Sequence, residues 1–375
     1  MAKTKVLITG GAGFIGSHLA DHMLSNGYEV SVLDSLEPQV HPGRRKPDYL
    51  NPEVKLWAGR VGDRGLLDRA LDGVEVVVHL ASVVGVGQSM YEIERYTLSN
   101  VADTATLLEV LTQRQPRVRR LVVASSMSLY GEGLYRCPGC GADRAPAVRP
   151  VEQLKARDWE MRCPDCRGAM EPLPTPEDKL PQPTSVYAIN KRDQEEMCLS
   201  IGRAYKIPTV ALRFFNVFGT RQALSNPYTG VVAIFSGRLL NDRPPIIFED
   251  GRQSRDFIHV SDLARALRLA VERADVSYEA INLGSGKPVT VLEVARSLSE
   301  LLGRRGEPRI VNEFREGDIR HCFADGAKAK RLLGFSPDKS FSDGMRELLD
   351  WMRTQKPEDS GDAAYAELKK RQLAG

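Results

Sequence analysis

The sequence predicts an α/β protein: a doubly wound parallel sheet with helices on both faces, a smaller α/β domain built from later segments, and a cysteine-rich insertion. Three observations carry that expectation. The first half alternates apolar runs of strand length with helical stretches, and strands apolar on both faces belong to a parallel sheet covered by helices. A glycine-rich turn joins the first strand to the first helix. Two Cys-x-x-Cys pairs interrupt the regular pattern between Cys137 and Cys166.

With 375 residues, 42% apolar and 27% charged, the chain can bury a substantial core and is long enough for about two domains. Its 52 Lys and Arg against 49 Asp and Glu leave a net charge of +3. So even a balance disfavours nucleic acid and membrane surfaces as partners and points to small molecules. The start, MAKTKVLITG, does not read as a signal peptide. The longest apolar run, Val76 to Val86, is broken by His79, Ser82 and Gly85 and falls well short of the ~20 residues of a spanning helix. Four of six cysteines sit in the two pairs; without a secretion signal this favours a metal over disulfides, and a cytoplasmic location.

Element by element, "KVLITG" gives the first strand, Gly16 to Asn26 a helix that Gly27 is placed to stop, and "EVSVLD" the second strand. "VEVVVHLAS" and "RRLVVASS" are two further buried strands, each after a helical segment. Later, "TVALRFFNVFG" runs from a strand into a loop, Ser261 to Arg273 is helical, and "EAINLGSG" is strand and turn. From Gln355 onward the chain is polar and reads as a surface helix or loose tail.

In "ITGGAGFIGS", Gly10, Gly13 and Gly16 form a G-x-x-G-x-x-G turn between strand and helix. Glycines let the backbone pass close to a pyrophosphate, and the free N–H groups of the helix start attract its charge. Asp34 ends the next strand, where a carboxylate accepts from an adenosine ribose and repels a 2′-phosphate. The expected cofactor is therefore NAD.

"SSMSLYG" (125 to 131) follows a buried strand, so its hydroxyls emerge at the carboxyl end, where open parallel sheets bind ligands. In "YAINK", Tyr187 and Lys191 are four apart and share one helix face. An ammonium beside a phenol favours the phenolate, so Tyr187 is expected to have a lowered pKa and to act as general base.

Taken together, ITGGAGFIGSH, VLD, HLAS, SSMSLYG, YAINK, RFFNVFG, GRQSRDFIHVSDLARA, NLGSG and REGD resemble the extended short-chain dehydrogenase/reductases, in their nucleotide-sugar epimerase and dehydratase branch. The resemblance runs from about residue 4 to about residue 350, apart from the insertion. It implies a Rossmann domain over 1–136, continued by 170–215 and 254–275, a substrate domain over 216–253 and 276–352, and a polar tail over 353–375. It implies Ser126, Tyr187 and Lys191 as the catalytic set. At the cofactor it adds Phe14, Ile15, Val61, Leu80, Ala81, Ser82, Asn100, Ser125 and Phe214 to the glycines, Asp34, Tyr187 and Lys191. For the sugar nucleotide it implies Val84, Asn216, Arg255, Arg315 and Asp318 beside Ser126 and Tyr187; paired donors on planar guanidinium groups suit a diphosphate. Relatives dimerise through helices like those at Ala102 to Gln113 and Tyr187 to Tyr205, so a homodimer is expected.

Reaction type turns on a few positions. Dehydratases of this branch carry an Asp–Glu pair after the catalytic Ser or Thr, whereas this chain has Met127 and Ser128. Decarboxylating relatives tend to carry glutamate, and 3,5-epimerising ones cysteine, where Ser128 stands. What remains resembles a 4-epimerase with tightly bound, regenerated NAD: Tyr187 takes the 4-hydroxyl proton, hydride leaves C4, and the 4-keto sugar turns over before hydride returns. Two departures stand out. Gly59-Arg60 replaces the usual Gly-Asp at adenine, and the loop "SVVGVGQS" carries Val83 and Val84, which suit a less polar sugar.

Cys137-Pro-Gly-Cys140 and Cys163-Pro-Asp-Cys166 have the form of two knuckles that complete a tetrahedral Cys₄ shell for a structural zinc. They lie in an insertion over 137–169, rich in Arg, Asp, Glu and Pro, that reads as too polar to pack itself without metal. A redox pair or a metal-free loop are the alternatives. The knuckles together with "NPYTGVVAIFSGRLL" and "FEDGRQSRDFIHV" resemble bacterial dTDP-L-rhamnose 4-epimerases, which interconvert that sugar nucleotide and dTDP-6-deoxy-L-talose. Three rival functions remain open: an NAD(P)-dependent nucleotide-sugar reductase or dehydrogenase, a 4-epimerase of the UDP-galactose type, and a non-catalytic dinucleotide-binding scaffold.

Overall fold

The apolar runs become seven strands in the computed structural model, which describes residues 3–303 and 307–375. Met1 and Ala2 of the expected first segment, and 304–306 of the expected substrate domain, lie outside the described residues. The strands are β1 (Lys5–Thr9), β2 (Glu29–Asp34), β3 (Lys55–Ala58), β4 (Val76–His79), β5 (Arg120–Ser126), β6 (Thr209–Phe214) and β7 (Glu279–Leu283). They pair in parallel in the order β3-β2-β1-β4-β5-β6-β7. The order reverses between β1 and β4, and a crevice at such a switch point is where doubly wound sheets take their ligands.

Alternate residues of each strand feed two cores. Val6 and Ile8, Val30 and Val32, Val76 and Val78, and Val122 and Ala124 face one side. Leu7, Leu33, Val77, Leu121 and Val123 face the other. On the first side helices Phe14–Ser25 and Val260–Glu272 cover the sheet with Leu19, Met23, Leu263 and Leu267. On the second, helices Asp103–Gln113 and Val186–Tyr205 supply Leu107, Leu111 and Cys198. Cys198 is thus a small core residue.

Two expectations about the later chain change. The stretch after β6 does not run straight into a loop: Phe214 stays with the main core, and Asn216–Phe218 starts a second sheet parallel to Ser254–His259. Phe218 drives the crossing, because it is buried beside the rings of Phe257 and His259. The chain end, read as a surface helix or loose tail, is helical over Gly361–Lys370 and docked. Arg238 holds Asp362 at 2.8 Å, and the backbone of Gly375 pairs with that of Phe314.

The insertion and the chain on either side of it form a three-stranded antiparallel sheet from Leu134–Cys137, Ala142–Arg144 and Glu171–Leu173. A small core forms where the insertion meets its flanks: Tyr135 and Met170 from outside it and Met161 from within surround Cys137 and Cys163.

Candidate functional site

The carboxyl ends of β1, β2, β4, β5 and β6 open onto one cavity of about 820 Å³. At its floor Gly10 has φ +68°, and a Cβ there would lie 2.8 Å from the Ala81 nitrogen. A Cβ on Gly16 would lie 2.4 Å from the Gly10 carbonyl oxygen, so the turn closes only with hydrogen at both positions. Helix Phe14–Ser25 begins at Gly13 with no side chain capping it, which leaves its first N–H groups to a ligand; Phe14 and Ile15 line the cavity there. The Asp34 carboxylate is fixed by Ala12 N–H on Oδ2 and Leu36 N–H on Oδ1, both at 2.9 Å, and also lines the cavity. This cradle fits a dinucleotide.

Val61, Leu80, Ala81, Ser82, Ser125 and Phe214 line the same cavity. Ser125 turns its hydroxyl inward to Glu195, 2.6 Å away. Asn100 is not among the residues lining the cavity; its amide clamps the Val83 backbone from both sides at 2.8 and 3.1 Å. These two bonds tie Asn100 to the loop that carries Val84, and its side chain is buried. Arg60 also changes meaning. Its guanidinium lies 3.1 Å from the Asp103 carboxylate, and the pair lines the cavity beside Val61. Asp103, forty-three residues away, offers the acceptor that Arg60 lacks, and spacing in the sequence gave no sign of it.

Ser126 ends β5, where its Oγ accepts from Ser128 N–H (3.2 Å) and Ser128 Oγ–H (2.9 Å). Tyr187 and Lys191 enter from helix Val186–Tyr205, whose start is fixed by Ser185 accepting from Ala188 N–H and by Ser89 accepting from Tyr187 N–H. Lys191 donates to the Ala124 carbonyl at 2.8 Å and to Gln194 Oε1 at 2.9 Å. The expected depression of the phenol is not what this protein alone produces. Burial pushes Tyr187 up to about 12, against a smaller opposing effect of its hydrogen bond with Ser126. Burial also brings Lys191 down to about 7, so neither group carries a full charge into the pocket at neutral pH.

At the far end, Asn216 presents a buried Oδ1 with no partner, which an incoming hydroxyl or N–H would satisfy. Arg255 spends three of its five N–H donors on the carbonyls of Ser254, Ile319 and Arg320, which fixes the plane of its guanidinium at the cavity wall. Arg315 pairs with Asp318 at 2.7 Å and lies over the ring of Phe248, 4.7 Å from its centre. Val84 is 49% exposed into this space. Phe248 and the tail residues Tyr365 and Leu368 line it too, and no motif in the sequence marks any of the three.

The four paired cysteines converge. Their sulfurs lie within 4.8 Å of one another, with Cys137 and Cys166 at 3.4 Å and Cys140 and Cys163 at 3.8 Å. Four thiolates about 2.3 Å from one zinc stand about 3.8 Å apart, so the donor set and spacing fit that ion. Both knuckles turn alike: Gly141 and Arg167 adopt φ +66° and +62°, and each donates to the carbonyl of the first cysteine of its pair. Residues of the insertion do not line the cavity; they brace it from behind, where Arg149 donates to the Asp318 carbonyl.

Comparison with known proteins agrees with this geometry. Residues 6–153 and 166–284 match the NAD dependent epimerase/dehydratase family. The chain is 34% identical to a dTDP-L-rhamnose 4-epimerase of Burkholderia thailandensis, over 93% of this chain and 94% of the relative. Among solved structures it is similar to UDP-glucose 4-epimerase of Thermotoga maritima with UDP-glucose (TM-score 0.76, 31% identity, 93% and 99% of the two chains). It is likewise similar to UDP-glucuronic acid 4-epimerase of Bacillus cereus with UDP-glucuronic acid and NAD (TM-score 0.75, 28% identity, 93% and 99%).

Proposed function

The chain belongs to the NAD dependent epimerase/dehydratase family, and from that premise we propose that it is a nucleotide-sugar 4-epimerase converting dTDP-L-rhamnose to dTDP-6-deoxy-L-talose. The observation that carries the reading is the reaction centre itself. Ser126 is flanked and hydrogen-bonded by Ser128, with Met127 beside it, so the positions that bear a second acid in dehydratases hold none. The reading of the sugar is supported by the similarity to the Burkholderia enzyme and by the apolar Val84 loop.

The glycine turn and Asp34 would hold NAD, which would supply a hydride acceptor and donor when bound. Tyr187 Oη takes the proton of the sugar 4-hydroxyl and later returns it, and Ser126 Oγ holds that oxygen in line. Lys191, in contact with the Ala124 carbonyl and Gln194, has one N–H left for the cofactor side when protonated, and in that state favours the phenolate. Arg255, Arg315 and Asn216 hold the nucleotide end while the sugar turns.

Three further readings belong to this proposal. The Cys₄ cluster holds a structural zinc with no open coordination position. The segments 1–136, 170–215 and 254–275 act as the cofactor domain, and 216–253 with 276–352 as the substrate domain. The enzyme works in the cytoplasm as a homodimer, in keeping with exposed Ile93, Leu98 and Ile189 on adjoining helices; no helix among the described residues is long and apolar enough to cross a membrane.

The test is incubation with dTDP-L-rhamnose and no added reductant, following the sugar C4 proton by NMR and NADH by absorbance. A new C4 epimer with flat absorbance is expected. Accumulating NADH would make the protein a dehydrogenase, and no turnover across sugar nucleotides would leave a binding scaffold.

A further inference from the structure

The C-terminal helix has an unusual neighbour. Ala364 and Leu368, one turn apart on helix Gly361–Lys370, are only 9% and 8% exposed, yet they join none of the hydrophobic cores. They line the cavity that Tyr187 also lines. Leu368 packs on Gly87, where an added Cβ would come within 3.4 Å of its Cδ2, and so lies over the loop that carries Val84. One turn earlier, Tyr365 meets the ring of Phe248 edge to face at 5.5 Å, and Phe248 in turn lies under Arg315.

The last residues reinforce the same place. Phe314 N–H donates to the Gly375 carbonyl at 2.8 Å, Gly375 N–H returns a bond at 3.1 Å, and Glu316 N–H donates to the Leu373 carbonyl at 3.1 Å. Arg315 is thus held between two backbone contacts with the chain end. The tail thus touches the cavity wall at two places, Gly87 in the loop after Val84 and the Phe248–Arg315 pair.

We propose that the C-terminal segment is a wall of the sugar-nucleotide site, with Leu368 a specificity residue against the sugar and Tyr365 a positioning residue for the Phe248–Arg315 pair. This rests on the 4-epimerase reading. An aliphatic side chain on Gly87, three residues from Val84 in the same loop, favours the methyl group of a 6-deoxy sugar over a hydroxymethyl group, because a buried hydroxyl there would lose its hydration without gaining a partner. The two ends of the helix therefore act on different parts of one ligand.

Calorimetric titration of the NAD-loaded full chain with dTDP-L-rhamnose and with dTDP separates these roles. Leu368→Gln should weaken dTDP-L-rhamnose about tenfold, the loss of part of one leucine contact, and leave dTDP unchanged. Tyr365→Ala should weaken both ligands alike, and Tyr365→Phe, which keeps the ring on Phe248, should restore both. Deleting 361–375 should lose more than either single change. Wild-type binding with no change in Leu368→Gln and Tyr365→Ala overturns the proposal while leaving the 4-epimerase reading intact. If the wild type binds neither ligand, the functional reading falls and this one with it. A thermal melt of each variant separates lost affinity from lost folding.

Discussion

Arg149 and Glu249 form a two-point ion pair, with guanidinium nitrogens 2.9 and 2.8 Å from the two carboxylate oxygens and both side chains buried. Arg149 belongs to the insertion, while Glu249 adjoins Phe248 at the cavity wall and also receives Arg320 at 2.9 Å. The insertion is therefore joined to the substrate side through charge in a dry interior. Removing Arg149 leaves Glu249 with Arg320 as its one buried cation and without two charged hydrogen bonds, so Arg149→Met should lower unfolding free energy by about 1–3 kcal/mol. Denaturant titration checks it; a loss below about 1 kcal/mol would place the pair with ordinary surface bridges.

Tyr187→Phe should cut turnover of dTDP-L-rhamnose by about 10²- to 10⁴-fold, the usual worth of a positioned acid–base group. The ring stays packed edge to face with Tyr96 at 6.5 Å, so the melting temperature should hold. Substantial residual turnover would remove Tyr187 from the role of base.

Asp103 stands beside Arg60 at the end of the cavity expected to take adenine. If its carboxylate accepts the adenine amino group, Asp103→Ala should weaken NAD by about tenfold, in the range of a hydrogen bond to a charged group. The readout is NAD affinity of the cofactor-stripped protein by titration. Unchanged affinity would mean that Asp103 serves only to neutralise Arg60.

Metal analysis should find one zinc per chain, lost in Cys137→Ser. Because the metal would organise a sheet whose strands carry Cys137 and whose core includes Cys163, its removal should lower the melting temperature and weaken dTDP-L-rhamnose through the Arg149–Asp318 contact. A chelated protein, shown free of zinc, with unchanged stability and affinity would refute a structural metal.

The glycine turn, the strands and the shared helix face of Tyr187 and Lys191 were legible because each is written locally, in a spacing of a few residues or in alternation along one strand, whereas Ser126, 61 residues before Tyr187, entered through the family resemblance. The pairing of Arg60 with Asp103 was not, since forty-three residues separate them and only the fold brings them together. Nor was the docked tail. Its polar composition hides Ala364 and Leu368, whose four-residue spacing becomes meaningful only once Phe314 and Gly375 are seen to pair. The Tyr187 expectation failed for a related reason: the Tyr187 and Lys191 spacing predicts an ammonium near a phenol, but burial of both groups is a tertiary property and outweighs it.

Burial of Lys191 also makes a statement about stability. The side chain is 3% exposed, and its pKa falls from an ordinary 10.5 to about 7. Below pH 7 the amine is protonated in both folded and unfolded chains, and the folded state bears the whole cost of a buried charge. Between about pH 7 and about 10.4 the unfolded chain still holds a proton that the folded chain has released, so stability rises with pH across that window. Tyr187, raised to about 12, acts oppositely and later: the unfolded phenol ionises first, and stability falls only above about pH 10. Lys191→Met lacks the first effect and shares every other titrating group. In NAD-free protein the stability of wild type relative to Lys191→Met should therefore climb between pH 7 and 9, approaching about 1.4 kcal/mol per pH unit. Urea titrations at pH 7, 8 and 9 measure it; a constant difference between the two proteins would show that Lys191 keeps its proton in the folded chain throughout.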